Sequence, residues 1–368
     1  MELNGIILTF AGIVGVQIIY WLVWLIGVLR LKETALFNGK NGISVVIAAN
    51  NEHENLQKNM PAILTQDYTN YEVIVVDDRS SDGSYEYLLE LAKEYKHLKV
   101  LSVSELPDHL NGKKYALTLG IKTAQHDQIV LTDADCAPES KNWIGSFAAS
   151  WSENTSFVLG FSQYQRKPGL LNYFIRFETL LSGIQYMAAA AIGKPYMGVG
   201  RNLSYSKTLF LSKKGFHGYQ NLVGGDDDLF VNKHANGANT KLVVGPESLT
   251  TSTPKTTWKE YLHQKTRHLS VGKHYSAKSK IILFIFTLTW ILTWVLLPTL
   301  FLYTHEFLLP GIVFAFRIVL MGVTFKVFSQ RTGGKLGILG LILLDIMFAV
   351  YYFVTGIRAL LTKRIKWK

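Results

Sequence analysis

Cysteine is almost missing from this chain: of 368 residues only Cys136 carries a thiol. No internal disulfide can form, and the usage agrees with a reducing compartment. The ten histidines and one cysteine fall into no set with convincing ligand spacing, so structural zinc is not expected. Internal repeats and low-complexity tracts are also absent. Charge is missing altogether from Gly5 to Leu29 and from Ile281 to Tyr303. Each stretch exceeds the roughly 20 apolar residues that cross a bilayer. Leu336 to Ile357 is a third such stretch, broken only by Asp345; Leu308 to Phe328 is a weaker fourth, holding Pro310, Arg317 and Lys326. An integral protein of the cell or inner membrane is expected.

The first apolar stretch lacks a basic leading region and a small-residue cleavage site, so it reads as an anchor over residues 1–32 rather than a cleaved signal. Arg30 and Lys32 follow it, which by the positive-inside rule predicts a cytoplasmic domain.

The formal net charge of +11 invites a nucleic-acid reading, but its distribution excludes one. From Lys278 onward eleven Lys and Arg face only Glu306 and Asp345, and the central domain is left near +1. The excess flanks apolar stretches, where it anchors them and attracts anionic membrane lipid.

The middle of the chain alternates short apolar runs with helical patterns. Ile43–Ala49, Tyr71–Val76, Leu98–Val103 and Gln128–Thr132 read as strands. Helices are expected after Asn50-Asn51-Glu52 as far as Thr65, from Ser84 to Tyr95 and from Lys113 to Thr123. This pattern predicts an α/β domain with a largely parallel sheet. In such sheets ligands bind beyond the carboxyl ends of strands, and Asn51, Asp77, Asp78, Asp133 and Asp135 are all expected just past strand ends. Further on, Leu170–Ala191 reads as a largely apolar helix. Trp258–Tyr275, with Trp258, Tyr261 and several basic residues, reads as a helix at the membrane interface.

Asp133-Ala134-Asp135 carries the most specific chemistry. In extended chain alternate side chains point the same way, so the two carboxylates can face one site. Like charges that close need a cation or another positive group between them. Hard oxygen ligands suit Mg²⁺ or Mn²⁺. Alone, such a pair is more often a solvated acidic loop.

The company it keeps is what matters. Asn51-Glu52, Val76-Asp77-Asp78-Arg79-Ser80, Gly112-Lys113, Asp133-Ala134-Asp135, Gly224-Gly225-Asp226-Asp227-Asp228-Leu229-Phe230 and Gln264-Lys265-Thr266-Arg267-His268 occur in that order. Together they resemble a family 2 inverting glycosyltransferase of the GT-A fold, in the membrane-embedded branch that includes ceramide glucosyltransferases and polysaccharide synthases. The resemblance runs from about Gly42 to Tyr275.

The resemblance implies a role for each motif. Asn51, Glu52, Asp77, Asp78, Lys113, Asp133, Gln264 and Arg267 would bind a nucleotide sugar, with the Asp77-Asp78 pair accepting from the base, usually uracil. Asp135, with Asp133, would hold Mn²⁺ or Mg²⁺ against the diphosphate. Inversion requires a general base to deprotonate the acceptor hydroxyl. The family places it in a Glu-Asp pair, whose first acid is here Gly225. Counting back from Gly237 favours Asp226 as the base, with Asp227 second. The family's Trp after Gln-x-x-Arg is replaced by His268.

The expected organisation is thus an N-terminal anchor (1–32), a GT-A domain (42–257), an interfacial helix (258–278) and a C-terminal region of two or three apolar helices (279–368). The expected activity is transfer from a nucleotide sugar, a UDP-sugar by resemblance, to a hydroxyl of a lipid or lipid-linked acceptor. Two rivals are a processive polysaccharide synthase and a catalytically inactive sugar-nucleotide-binding scaffold. A transporter ranks last, because Arg317, Lys326 and Asp345 are nearly the only ionisable groups inside the apolar stretches.

Overall fold

The computed structural model describes residues 2–35, 41–303, 305–334, 337 and 340–361. The basic residues from Lys363 to Lys368 lie outside the described residues.

A long apolar helix α1 (Glu2–Leu29) leads into the first half of the domain. There β1 (Ile43–Ala49), α2 (His53–Leu64), β2 (Tyr71–Asp78), α3 (Ser84–Glu94), β3 (Leu98–Val103), α4 (Gly112–Thr123) and β4 (Gln128–Leu131) alternate. Valine and isoleucine fill both faces of β1 and β2, as burial on two sides requires. The order β3-β2-β1-β4 is parallel throughout, with Val45 opposite both Val73 and Val130. Helix α4 lies flat on this sheet because residue 120 is glycine. A Cβ there would stand 2.6 Å from Val46 Cγ1.

The second half departs from the parallel expectation. It contains β5 (Cys136–Pro138), α5 (Trp143–Ser150), β6 (Phe157–Leu159), β7 (Ser162–Tyr164), α6 (Leu170–Ala191), β8 (Leu203–Ser206), α7 (Lys207–Ser212), α8 (Asp228–His234), β9 (Thr240–Leu242) and β10 (Thr250–Ser252). Strand β8 enters antiparallel beside β4 and also pairs antiparallel with β6, so the seven-stranded sheet is mixed. In strands of three or four residues the sequence carries too little periodicity to give their pairing order and direction. A second sheet, β5-β10-β7, covers the exit of β4.

Then follow α9 (Trp258–Val271), α10 (Ala277–Tyr303), α11 (Leu308–Thr332) and α12 (Leu341–Leu361). With α1, the last three give, among the described residues, four helices long and apolar enough to cross a membrane. Helices α10 and α11 run the full length of α1. Near the domain, Tyr20 Oη donates to Ile282 O, and Arg331 Nη1 donates to Leu31 O. At the other end Ile7, Phe10, Val14 and Leu300 form one buried cluster with Val313 and Phe314 packed on it. Helix α12 packs instead on α9, α10 and α6. Arg317 and Asp345, both fully buried, form a two-pronged ion pair at 2.7 and 2.9 Å, and Trp294 Nε1 donates to the same carboxylate.

Candidate active site

The site lies where β1, β2 and β4 end. Asp77 and Asp78 are the last two residues of β2, not residues beyond it as expected. Strand β3 continues alongside them, and they pair with Ser102 and Val103. Both are buried. Asp78 Oδ1 holds Arg79 Nε at 2.8 Å, and Asp77 Oδ2 accepts from the Ser80 amide at 3.2 Å. Asp77 Oδ1 is buried with no hydrogen-bond partner among the described residues. Asn51 takes a left-handed conformation (φ 53°), which asparagine tolerates better than most residues. It accepts from the Ser81 amide at 2.8 Å and donates its own amide to Ser80 Oγ at 2.9 Å, tying the β1–α2 loop to the β2–α3 loop. The Glu52 carboxylate accepts from Asn55, and its charge reaches Asp135.

Helix α4 begins against Asp78. A Cβ on Gly112 would meet Asp78 Oδ2 at 2.1 Å, so only glycine admits this approach. Asn111 caps the helix by accepting from the Lys114 amide. The two lysines of the first turn then diverge. Lys113 Nζ reaches Asp133 Oδ1 at 2.9 Å and Asp226 Oδ2 at 3.0 Å. Burial alone would lower its pKa, but Asp133, Asp226 and Asp227 outweigh that and hold the ammonium well above the ordinary lysine value. Lys114 turns inward and donates to the carbonyls of Leu222 and Gly224. Burial pulls it down to about 8.

Asp133 and Asp135 follow β4 as expected, and β5 starts at Cys136. One ligand atom from each of these three residues lies within 4.8 Å of the others. Burial, then the charge of Asp133, raises the Asp135 carboxyl. The Cys136 thiol donates to Asp135 Oδ1 at 3.2 Å. Arg201 approaches from the start of β8. Its guanidinium lies 4.4 Å from the centre of the Tyr164 ring, and its Nη1 is buried without a hydrogen-bond partner among the described residues.

The three consecutive aspartates divide their work. Asp226 is buried and faces Lys113. Burial would raise its carboxyl, but Lys113 and Lys114 hold it below the ordinary aspartate value. Asp227 spends both oxygens on backbone: Oδ2 accepts from the Gly200 amide at 2.6 Å and Oδ1 from the Asp228 amide at 2.8 Å. Burial and the neighbouring Asp226 raise it. Asp228 accepts from Tyr275 Oη at 2.7 Å, and burial with Asp227 pushes it well up.

Gln264, Arg267 and His268 lie on α9, whose Lys265 is held at 2.5 Å by the buried Glu178 of α6. The His268 ring is accessible to solvent, yet desolvation within the cleft and the cations Lys265, Arg267, Arg201 and Lys113 depress its pKa well below the usual value. Helix α9 therefore presents His268 to the same electrostatic field as the Asp133–Asp135 pair.

Some of the arrangement escaped sequence reasoning. Tyr164, Lys114 and Tyr275 gave no signal beyond being an aromatic at a strand end, a second lysine, and a tyrosine ending a basic helix. Arg201 stands at the acidic pair, whereas Asn202 is a buried pin linking Trp143, Phe161 and Ser248. The donor set suits a hard divalent cation: two carboxylates separated by one residue, with a lysine neutralising one of them.

An α/β domain of this topology, with an acidic pair past its fourth strand and a buried carboxylate opposite, has the architecture of a nucleotide-sugar transferase. Residues 44–210 match the model of glycosyl transferase family 2, so the chain carries a family 2 glycosyltransferase domain of the GT-A fold. Among curated proteins, a poly-beta-1,6-N-acetyl-D-glucosamine synthase of Staphylococcus epidermidis is 33% identical over 128 residues, 32% of this chain and 29% of that protein. A beta-monoglucosyldiacylglycerol synthase of Trichormus variabilis is 39% identical over 95 residues, 25% of this chain and 20% of that protein. The matches span from 20% to 54% of the length of such relatives. A solved mannosyltransferase from Pyrobaculum calidifontis, in complex with GDP-mannose and Mn²⁺, superposes over 98% of this chain and 100% of its own at 18% identity, with a TM-score of 0.65. That likeness supports the fold.

Proposed function

We propose that this protein is a membrane-bound inverting glycosyltransferase that moves a sugar from a nucleotide sugar to a hydroxyl of a lipid or lipid-linked acceptor. The observation that carries the reading is the facing of Asp226 and the Asp133–Asp135 pair across Lys113. A donor diphosphate beside Asp133 would set its sugar carbon near Asp226, whose carboxylate would become more basic, and free to accept the acceptor's proton, as Lys113 leaves it for the phosphates. Asp227 is occupied as a backbone cap, which supports Asp226 as the base.

Asp135 and Asp133 would hold Mn²⁺ or Mg²⁺, which supplies charge neutralisation for the leaving diphosphate. Lys113 would then turn from Asp133 toward the phosphates. Arg201 and Arg267 bring further positive charge to the same side. Asp77 Oδ1, buried and without a hydrogen-bond partner among the described residues, fits an acceptor for a ring N–H of the base. Uracil and guanine both carry such a group. The family resemblance favours UDP; the Pyrobaculum enzyme was solved with GDP-mannose.

The membrane part supports a lipid acceptor. Basic residues collect at the domain end of the apolar helices: Arg30 and Lys32, Lys278 and Lys280, Lys326 and Arg331. The turn between α10 and α11, at the other end, carries Glu306 and no lysine or arginine. By the positive-inside rule the domain faces the cytoplasm. Helix α9, carrying His268 and followed by Lys273 and His274, would lie at the interface, where an acceptor can arrive from the bilayer. A processive synthase needs a channel, and the four long apolar helices among the described residues are few to enclose one.

Titration calorimetry of the detergent-purified protein with UDP- and GDP-sugars, with and without Mn²⁺, tests the donor half. Mn²⁺-dependent binding of one donor class, lost in Asp135→Asn, is expected. Equal binding by the variant would remove the metal assignment.

A further inference from the structure

Away from the transfer site, a cavity of about 950 Å³ opens between the β7–α6 connection and the last turns of α11. Its walls include Arg166, Lys167, Asn172, Tyr173 and Arg176 on one side and Ser329 and Gln330 on the other. That volume lies within the range of sites for small organic ligands. Among the described residues no acidic side chain lines it. Arg176 and Arg166 are close enough to repel each other: burial, then the Arg166 charge, lowers the Arg176 guanidinium. The connection ends at Gly169, whose φ of 101° only glycine adopts without strain, and α6 starts there with no side-chain cap and no acid in its first turn. The exposed backbone amides of a helix start add to the positive field.

The position of the cavity identifies the depth at which its ligand lies. Ser329 and Gln330 belong to the turn where α11, an apolar helix of membrane-crossing length, becomes polar before Gly333. In the next position Arg331 reaches Leu31 O, just past the end of α1. The ends of both apolar helices therefore stand at one level, and the cavity opens there. Cationic cavities at the ends of membrane helices recognise lipid phosphates.

We propose that this cavity binds the phosphate headgroup of an anionic membrane lipid, with Arg166, Lys167 and Arg176 as its cationic contacts. The site adjoins the transfer cleft through shared elements. Arg166 follows Tyr164, which carries Arg201, by two residues, and Arg176 precedes Glu178, which holds Lys265 of α9. A lipid seated there would fix the domain against the bilayer beside α9. The inference holds whether or not the transfer reaction is as proposed, because it rests on the cavity and on the level of the apolar helix ends beside it.

The test uses the full chain in neutral detergent, with its melting followed by tryptophan fluorescence. Dioctanoylphosphatidylglycerol, dioctanoylphosphatidylcholine and inorganic phosphate are titrated in parallel. The expected result is saturable stabilisation by the phosphatidylglycerol alone, with its half-saturating concentration raised at least about tenfold in the Arg166→Ala/Lys167→Ala double variant. Both side chains are exposed, so the lipid-free melting temperature of this variant should match the wild type. Arg176→Gln should weaken the response further and Arg176→Lys should keep most of it. An unchanged response in the double variant, equal stabilisation by phosphatidylcholine, or no stabilisation at all would overturn the proposal. Equal saturation by inorganic phosphate would make this a free-phosphate site and overturn the lipid assignment.

Discussion

Lys113 joins the two halves of the candidate active site: its ammonium stands 2.9 Å from Asp133 and 3.0 Å from Asp226. Without a cation, those carboxylates and Asp135 would crowd one another. Lys113→Met should therefore destabilise the protein. Removing one partner from a fully buried pair costs about 3–5 kcal/mol, and the 17% exposure of this lysine side chain brings the expectation below that range. Mn²⁺ should restore more stability to this variant than it adds to the wild type. Equal Mn²⁺ shifts in melting temperature would contradict the bridging role.

Asp226 and Asp227 separate by function. Asp226→Asn should retain donor binding and lose at least about 100-fold in transfer rate, the scale of general-base catalysis. Asp227→Asn should mainly weaken the start of α8 and its hold on Gly200, costing about 1 kcal/mol of stability. Steady-state kinetics beside thermal denaturation distinguishes them, and the reverse pattern would shift the base by one residue.

The pH dependence of stability has a traceable source in Asp228. Its folded carboxyl titrates well above the ordinary 3.8, because burial and Asp227 disfavour the charge. The folded state then holds a proton that the unfolded chain has released. Stability falls as pH rises from the ordinary value toward the folded one. Asp228→Asn keeps an acceptor for Tyr275 Oη and removes that titration. The variant's melting temperature should decline less between pH 4 and 7 than the wild type's, and parallel curves would refute the assignment.

His268 is held neutral by desolvation and four surrounding cations. Activity should therefore show no limb near pH 6.5, the ordinary histidine value. His268→Trp, which restores the family's aromatic residue, should alter the apparent KM for acceptor several-fold and leave donor binding unchanged. A change confined to donor affinity would place His268 on the other side of the cleft.

In the apolar region the Arg317–Asp345 pair binds α11 to α12. Arg317→Leu would strand a buried carboxylate beside Trp294, at about 3–5 kcal/mol. Arg317→Leu/Asp345→Leu should recover much of that loss. A double variant no more stable than the single one would show that the pair is not what makes the single change costly.

Much of the first half of the fold could be read directly. Strands buried on both faces leave unbroken apolar runs, and β1 and β3 begin and end where those runs do. The ends of β2 and β4 moved by one or two residues, because ladder pairing rather than polarity sets them. From β5 to β10 the strands are too short to carry a period, and the antiparallel β8 gave no local sign of its direction. Site legibility followed the same division. Acidic residues at strand exits are visible in sequence, and the notable pairings of Asp133, Lys113 and Asp226 span long separations that only the fold closes. Two apolar stretches free of charge announced α1 and α10. The weaker stretch proved to be α11, which runs the length of α1, because Arg317 is neutralised inside the bundle and Lys326 faces outward near one end.

The most direct test of the central claim is release of nucleoside diphosphate from a panel of nucleotide sugars by the detergent-purified protein, with Mn²⁺ and a total membrane lipid extract as acceptor. Asp135→Asn and Asp226→Asn are assayed in parallel. The account predicts lipid-dependent release with one donor, accompanied by a labelled lipid product and lost in both variants. Release that is independent of lipid, or that survives in Asp226→Asn, would contradict it.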